Sequence, residues 1–196
     1  MEKINKLQAF LKNSQEAILI YSPENRRYFT DFPSTDGYLL VTKKDAVFFT
    51  DSRYIEAAQK KATCRSQLVT RVSVEIKDYI KEQNLLKIYT ERERLTVSMA
   101  DFLKTAFLPC RVTPSKRLEK KIDEIRMVKA TEEIENIKIA QGIAEDAFNH
   151  ILGFIKPGVT EKQIALELDF YMLSHGAEAL SFETIAVSGK KTSMPH

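Results

Sequence analysis

The chain has 196 residues, 43% of them hydrophobic, and its 30 basic and 27 acidic residues give a net charge of +3. This length suits one complete domain with a partial or small second one, and the apolar content is sufficient for a buried core. Opposite charges are interspersed, which argues against a nucleic-acid-binding face, and no apolar run is long enough for a transmembrane helix.

The cysteines and the N-terminus indicate a cellular location. Cys64 and Cys110 lie far apart and belong to neither a C-x-x-C nor a Cys/His motif, which argues against a disulfide framework and a zinc knuckle. Residues 1–10 are charged and amphipathic, without the apolar segment and small-residue cleavage site of a secretion signal. We therefore expect a protein of the reducing cytoplasm.

The first half of the chain predicts an α/β domain. Apolar residues at helical spacing over 2–13 precede the apolar run 17–21, which is typical of a buried strand. A polar loop ending in Gly37 then leads to a hairpin of two apolar strands. Strands and helices alternate onwards, which predicts a mixed sheet flanked by helices. The predicted hairpin and later elements are strands 38–42 and 46–50, strand 67–70, a helix through 74–80, strand 86–90, helix 97–107 and strand 111–113.

A short polar motif, Asp51-Ser-Arg53-Tyr54, follows the second hairpin strand. Asp51 or Ser52 is suited to cap the next helix, which by itself explains both residues. Arg53 has two interpretations. Its guanidinium can bind a carboxylate or peptide carbonyl through two parallel hydrogen bonds, or it can pair with a local acid, as most such arginines do.

A second acidic motif lies in the turn 90–94. Glu91 and Glu93 could form a catalytic carboxylate pair, but an E-R-E-R turn is more often a solvated loop with local ion pairs. We therefore expect Glu91 and Glu93 to lie in solvent.

The second half predicts two long helices. The charged segment 115–128 is interpreted as the link between the halves, with domains at 1–124 and 125–196. Thr131 is a suitable N-cap for a helix that reaches residue 155. Pro157 and Gly158 interrupt the chain, and Thr160-x-x-Gln163 forms a capping box for the next helix.

Three histidines require an interpretation. Asp146 and His150 share a helix face, but two side chains are an incomplete metal site, so a structural role is favoured. His175 is expected at a helix C-terminus, where the helix dipole favours an imidazolium. The third, His196, follows a predicted half-buried strand over 183–188 and a polar loop. Because Pro195 fixes the backbone before it, His196 is a candidate proton shuttle or substrate contact, although a terminal His is usually solvated.

Several segments of the second half resemble one enzyme family. They are residues 155–165 (I-K-P-G-V-T-E-K-Q-I-A), 167–177 (E-L-D-F-Y-M-L-S-H-G-A) and 181–189 (S-F-E-T-I-A-V-S-G), with the closing Pro195-His196 pair. Together they are similar to the opening of the catalytic "pita-bread" domain of the creatinase/prolidase/aminopeptidase P family. Residues 126–138 (R-M-V-K-A-T-E-E-I-E-N-I-K) resemble the entry into that domain.

The first half resembles the N-terminal domain of the same family. The similar segments are residues 25–32 (N-R-R-Y-F-T-D-F), 34–42 (S-T-D-G-Y-L-L-V-T) and 48–54 (F-F-T-D-S-R-Y). The family commonly has an aromatic-Thr/Ser-Gly-Phe loop and a D-x-R-Y motif. In this chain Asp31 stands where the loop often has glycine.

The resemblance implies a creatinase-type N-terminal domain followed by the incomplete start of an α+β pita-bread domain. It implies an Xaa-Pro aminopeptidase that removes the residue preceding proline, a homodimer, and two divalent ions, expected to be manganese, which activate a water. Arg53 would bind the peptide and His196 would act in the substrate pocket. The family's metal ligands all follow the Pro-His pair, so the resemblance assigns none to this chain.

Three alternatives stay open. The protein could be a prolidase that cleaves Xaa-Pro dipeptides, whereas creatinase-like amidine hydrolysis is a weaker variant of the same resemblance. The third alternative is a non-catalytic module for dimerisation or peptide binding, since no set of carboxylates and histidine converges within the chain.

Overall fold

The computed structural model describes residues 2–194, which divide into two compact units. Unit 1 ends at residue 128, and unit 2 begins at residue 129. Unit 1 is a six-stranded mixed sheet with helices on both faces, as predicted. Its strands are β1 (Glu16–Ile20), β2 (Tyr38–Thr42), β3 (Ala46–Thr50), β4 (Arg65–Leu68), β5 (Lys87–Thr90) and β6 (Arg111–Pro114). Its helices are α1 (Glu2–Gln8), α2 (Pro23–Thr30), α3 (Ile55–Lys61), α4 (Val72–Glu82), α5 (Val97–Ala106) and α6 (Lys116–Met127).

The strands are arranged in the order β4-β3-β2-β1-β5-β6. Strands β1, β2 and β3 pair antiparallel, whereas β3 with β4, β1 with β5, and β5 with β6 pair parallel. Each parallel pair is joined through at least one helix, because the chain must return to the same end of the sheet. In the pairing of β1 with its two neighbours, Ile18 of β1 lies opposite Val41 of β2 on one side and Tyr89 of β5 on the other.

The core of unit 1 lies on both faces of the sheet. Successive side chains of β1 point to opposite faces, so Ile18 packs in one apolar cluster and Leu19 in the other. Leu7 of α1 lies in the first cluster, and Ile80 of α4 in the second. Helix α6 contributes three side chains to the first cluster, Leu118, Ile122 and Ile125. The sequence-predicted boundary between residues 124 and 125 therefore falls inside a helix that packs on unit 1.

Unit 2 contains helices α7 (Thr131–Phe154) and α8 (Glu161–Ser174) and a short 3-10 helix, Gly189–Ser193. Helices α7 and α8 pack on one another. The predicted capping box is confirmed: Thr160 Oγ1 accepts a hydrogen bond from Gln163 N, and Gln163 Oε1 accepts one from Thr160 N. None of the helices in residues 2–194 is both long and apolar enough to cross a membrane.

Three local predictions were wrong. Helix α7 begins at Thr131 with Ala130 as its N-cap, so Thr131 does not cap it. Residues 183–188 form no strand, although their apolar and polar residues alternate. Alternation indicates which faces a strand would present, but a strand also needs a neighbour for its backbone hydrogen bonds, and no described strand of unit 2 offers one. The helix after β3 begins at Ile55 with Tyr54 as N-cap, so neither Asp51 nor Ser52 caps it.

Candidate functional site

Arg53 lies in the turn between β3 and α3, where Asp51 orients it. Asp51 Oδ1 accepts from Arg53 N at 2.9 Å, and Asp51 Oδ2 accepts from Arg53 Nε at 2.9 Å and from Nη2 at 2.5 Å. This side-chain pair lowers the pKa of Asp51 and raises the pKa of Arg53. The predicted pairing with a local acid is therefore present, and it holds a permanently charged guanidinium in one direction.

A second contact joins Arg53 to the loop that precedes β2. Asp36 Oδ2 lies 3.3 Å from Arg53 Nη2, and Thr35 Oγ1 lies 2.8 Å from the hydroxyl oxygen of Tyr54. The Arg53 side chain is 60% exposed, and its Nη1 has no hydrogen-bond partner among residues 2–194. Nη1 is thus available to a ligand while Nε and Nη2 are held in place.

An open cleft of about 400 Å³ lies beside Tyr54. Its walls are helix α2, the loop before β2 and Tyr54. The lining residues are Pro23, Glu24, Arg27, Pro33, Ser34, Thr35 and Tyr54. Apolar rings combined with a few polar groups are typical of a ligand-binding surface.

The loop before β2 depends on two special backbone positions. Asp31 adopts the left-handed conformation with φ +52°, a conformation that Asp tolerates better than most residues. Its carboxylate pairs with Lys3 Nζ at 3.0 Å. Gly37 has φ +130°, and a Cβ there would lie 2.7 Å from the Phe48 ring. The aspartate at position 31 is therefore compatible with a turn that glycine also favours.

Glu91 is fully buried, so the prediction that it lies in a solvated loop was wrong. Its carboxylate accepts hydrogen bonds from Tyr21 N at 2.7 Å, Ser22 N at 2.9 Å and Asn25 Nδ2 at 2.6 Å, as well as from the Ser22 hydroxyl. These donors belong to the N-terminus of α2, where the helix dipole favours a negative charge. Glu93 is exposed, as expected, so the two carboxylates form no pair.

The histidines of unit 2 have local partners, which agrees with their structural interpretation. His150 Nε2 lies 2.7 Å from Glu167 Oε1, and its ring stacks on Tyr171 with centroids 4.5 Å apart. His175 is the C-cap residue of α8 and also stacks on Tyr171, with ring centroids 3.8 Å apart. No hydrogen bond or ion pair between Asp146 and His150 occurs among the described residues.

Two carboxylates of α8 hold the segment that leads towards His196. Asp169 accepts from the Thr184 hydroxyl, and Glu161 Oε1 accepts from Ser188 N at 2.8 Å. Glu161 Oε2 also lies 3.2 Å from Lys191 Nζ. These contacts, chiefly the bond from Ser188 N, lower the pKa of Glu161. Pro195 and His196 themselves lie outside the described residues.

Residues 2–194 contain no group of three or more His, Cys, Asp or Glu side chains placed to hold a metal ion. The residues described here therefore do not fit a two-metal centre, which needs several converging carboxylates.

Sequence comparison defines the class of protein. Residues 3–128 match the family model of the creatinase/prolidase N-terminal domain, and residues 135–196 match that of metallopeptidase family M24. The chain therefore belongs to the creatinase/prolidase family, with the N-terminal domain followed by the first part of an M24 domain.

Individual relatives agree with this assignment. An uncharacterized peptidase of Bacillus subtilis, YqhT, is 31% identical over all of this chain and 55% of its own length. A putative Xaa-Pro aminopeptidase of Mycoplasma genitalium is also 31% identical, over all of this chain and 54% of its own length. Among solved structures, the Xaa-Pro dipeptidase of Bacillus anthracis superposes with a TM-score of 0.84 at 35% identity, covering 93% of this chain and 51% of that one. The chain thus spans about half the length of these relatives.

Proposed function

We propose that this chain is part of a metal-dependent Xaa-Pro aminopeptidase, which removes the N-terminal residue that precedes proline in a peptide. The observation that carries the proposal is the consecutive match of residues 3–128 and 135–196 to the two family models. The similarity to proteins named Xaa-Pro aminopeptidase and Xaa-Pro dipeptidase supports a proline-specific peptide substrate.

In this proposal Arg53 binds the peptide. Asp51 and Asp36 orient its guanidinium, and Nη1 can donate to a substrate carbonyl or carboxylate. The adjacent cleft beside Tyr54 would receive an apolar part of the peptide. The protein acts as a cytoplasmic homodimer, and Arg53 reaches the peptide directly or across the dimer.

His196 is the proposed second substrate contact. An imidazole that titrates near neutrality can contact the substrate or stabilise the charge that develops during hydrolysis. The hydrogen bonds that Asp169 accepts from the Thr184 hydroxyl and Glu161 accepts from Ser188 N hold the preceding segment on α8.

The reaction would need two divalent ions, proposed to be manganese, to activate a water. Residues 2–194 contain no fitting ligand set, and their proposed role is to bind and orient the peptide.

The test begins with the reading frame beyond the codon for His196. A continuation with two Asp, one His and two Glu at family spacing supports the proposal, and the intact product should then cleave Xaa-Pro-Xaa tripeptides in a metal-dependent manner.

Replacing Arg53 with Ala should raise KM about tenfold, the usual effect of losing one charge-assisted hydrogen bond. The exposed Arg94, replaced with Ala, is the matched control. Cleavage of Xaa-Pro dipeptides only would indicate a prolidase instead.

The second hypothesis is a non-catalytic module that dimerises or binds peptides, and the lack of a ligand group among residues 2–194 favours it for the chain alone. The 196-residue chain by itself should therefore show no metal-dependent hydrolysis. Stoichiometric manganese binding together with proline-peptide cleavage that His196→Ala abolishes would contradict this expectation. A stop codon directly after His196 would favour the module.

A further inference from the structure

Arg26 is a buried cation that donates its hydrogen bonds to backbone carbonyls. Its side chain is 1% exposed, and its guanidinium donates to Ser34 O at 3.0 Å, to Gly37 O at 2.8 Å and to Tyr21 O. Burial lowers the pKa of Arg26, and the nearby Asp36 carboxylate acts in the opposite direction. A buried charge is costly unless hydrogen bonds satisfy it. Nη1 and Nη2 bond the three carbonyls, whereas the buried Nε has no partner among the described residues, so Arg26 and the carbonyls hold one another in place through the two Nη atoms.

Two of these carbonyls bracket the part of the loop that contacts the Arg53 turn. Ser34 and Gly37 lie on either side of Thr35 and Asp36. Thr35 bonds the Tyr54 hydroxyl at 2.8 Å, and Asp36 lies 3.3 Å from Arg53 Nη2. The backbone that Arg26 holds therefore carries both side chains that reach the Arg53 turn from this loop.

The same connection shapes the adjacent cleft. Ser34 and Thr35 form part of its wall, together with Tyr54. If the loop moved, the shape of the cleft and the position of the Asp36 carboxylate beside Arg53 would change together. Asp51 would remain, because it lies in the same turn as Arg53 and does not depend on the loop.

We propose that Arg26 is a positioning residue for the Arg53 site: its planar guanidinium holds the Ser34 and Gly37 carbonyls, and thereby sets Asp36 against Arg53 and Thr35 against Tyr54. The relevance of this arrangement to peptide binding rests on the proposed function. Lysine cannot replace Arg26 fully, since a single ammonium lacks the rigid fork that reaches separate carbonyls.

The experiment measures how fast phenylglyoxal modifies Arg53 in the 196-residue chain, with peptide mapping to isolate that residue. Asp36→Asn removes the loop carboxylate and should raise the Arg53 rate about two- to threefold, the modest effect of an exposed ion pair. Arg26→Lys should raise it by a similar factor. The double variant Arg26→Lys/Asp36→Asn should show no further increase, because both changes remove the same contact. Arg94→Lys, at an exposed position, should leave the rate unchanged.

Thermal unfolding establishes that each variant is folded, and Arg26→Gln, with its two amide donors, replaces Arg26→Lys if that variant fails to fold. An unchanged Arg53 rate in the folded Arg26 variant overturns the proposal, and so does an unchanged rate in Asp36→Asn. Multiplying effects in the double variant would also overturn it, since they would mean independent contacts.

A second readout concerns catalysis in the intact enzyme. Arg26→Lys should raise KM for the peptide severalfold and leave kcat within about twofold, as expected when binding is lost without loss of a catalytic group. If Arg53→Ala leaves KM unchanged, the proposed role of Arg53 fails, whereas the chemical-modification result still decides whether Arg26 positions it.

Discussion

Glu91 binds the first turn of α2 from the end of β5, and this contact joins elements nearly seventy positions apart. Its carboxylate satisfies two backbone N–H groups and two side chains that would otherwise be buried without partners. Asn25 extends the contact, because its Oδ1 accepts from Arg126 near the end of α6. The polar cluster Glu91–Asn25–Arg126 thus connects three elements of unit 1.

Replacing Glu91 with Ala should therefore destabilise unit 1 strongly. Leaving buried donors unsatisfied costs about 1–3 kcal/mol per group, so a loss of roughly 3 kcal/mol or more in the free energy of unfolding is expected. Chemical denaturation followed by circular dichroism measures it. The exposed neighbour Glu93, replaced with Ala, should change stability by less than about 0.5 kcal/mol. Equal effects at both positions would contradict a capping role for Glu91.

Glu161 provides a pH-dependent contact at the residue scale. Its folded-state pKa lies below the unfolded value of 4.5, so its bonds to Ser188 and Lys191 are present above that pH and are lost as pH falls through the lowered pKa. In NMR titrations, the Glu161 carboxyl and the Ser188 amide should shift together with a midpoint below 4.5. Glu161→Gln should abolish the shift of Ser188. A midpoint at or above 4.5 would show that the contact is not formed in solution.

At the scale of elements, the turn into the β2–β3 hairpin depends on Gly37. Its φ of +130° is unfavourable for other residues, and a Cβ would lie 2.7 Å from the Phe48 ring and 2.8 Å from Phe49 O. The backbone here cannot move freely, because Arg26 holds the Gly37 carbonyl. Loop conformation and hairpin packing are therefore linked at one residue.

Gly37→Ala should destabilise unit 1 by about 2 kcal/mol or more, since it combines an unfavourable φ with a steric overlap. The matched control is Gly142, inside α7, where an added Cβ meets nothing within 4 Å. Gly142→Ala should stabilise α7 by about 0.5–1 kcal/mol, because alanine loses less conformational entropy in a helix. Denaturation curves for the two variants should shift in opposite directions. A shift in the same direction would contradict the argument from φ.

At the scale of the whole molecule, unit 2 leaves much apolar surface in solvent. Its helices bury few side chains, and large residues on both of them are exposed, including Phe148 at 61% and Phe170 at 69%. Monomeric proteins seldom expose extended apolar surface of this kind. The 196-residue chain studied alone is therefore expected to self-associate.

Sedimentation velocity over a range of concentrations measures this association. The variant Phe148→Glu/Phe170→Glu should shift the chain towards monomer, because charges on the exposed faces oppose apolar contact. Leu86 of unit 1 is similarly exposed at 59%, and Leu86→Glu should leave the association unchanged. A wild-type chain that stays monomeric at all concentrations would contradict the prediction.

The sequence by itself determined the features that depend on residues close together in the chain. The apolar run of β1, the hairpin of β2 and β3, and the Thr160–Gln163 capping box all follow from local spacing and local hydrogen bonding. The family resemblance was also visible in short motifs, since each motif is a continuous stretch of residues. The D-x-R-Y motif makes Arg53 a candidate in this way, whereas its contacts with Asp51 and Asp36 follow from the structure.

Only the tertiary structure decided the environment of residues whose partners are distant in sequence. The charged E-R-E-R turn predicts solvent exposure, yet pairing of β1 with β5 brings Glu91 to the N-terminus of α2 and buries it. Arg26 appears in the sequence as one of two adjacent arginines, and only the loop folded over it shows that it is buried. The strand predicted over 183–188 was also wrong, because no described strand of unit 2 lies beside this segment to accept its backbone hydrogen bonds. Periodicity determines the faces of a segment, whereas hydrogen-bond partners and burial depend on which elements the fold brings together.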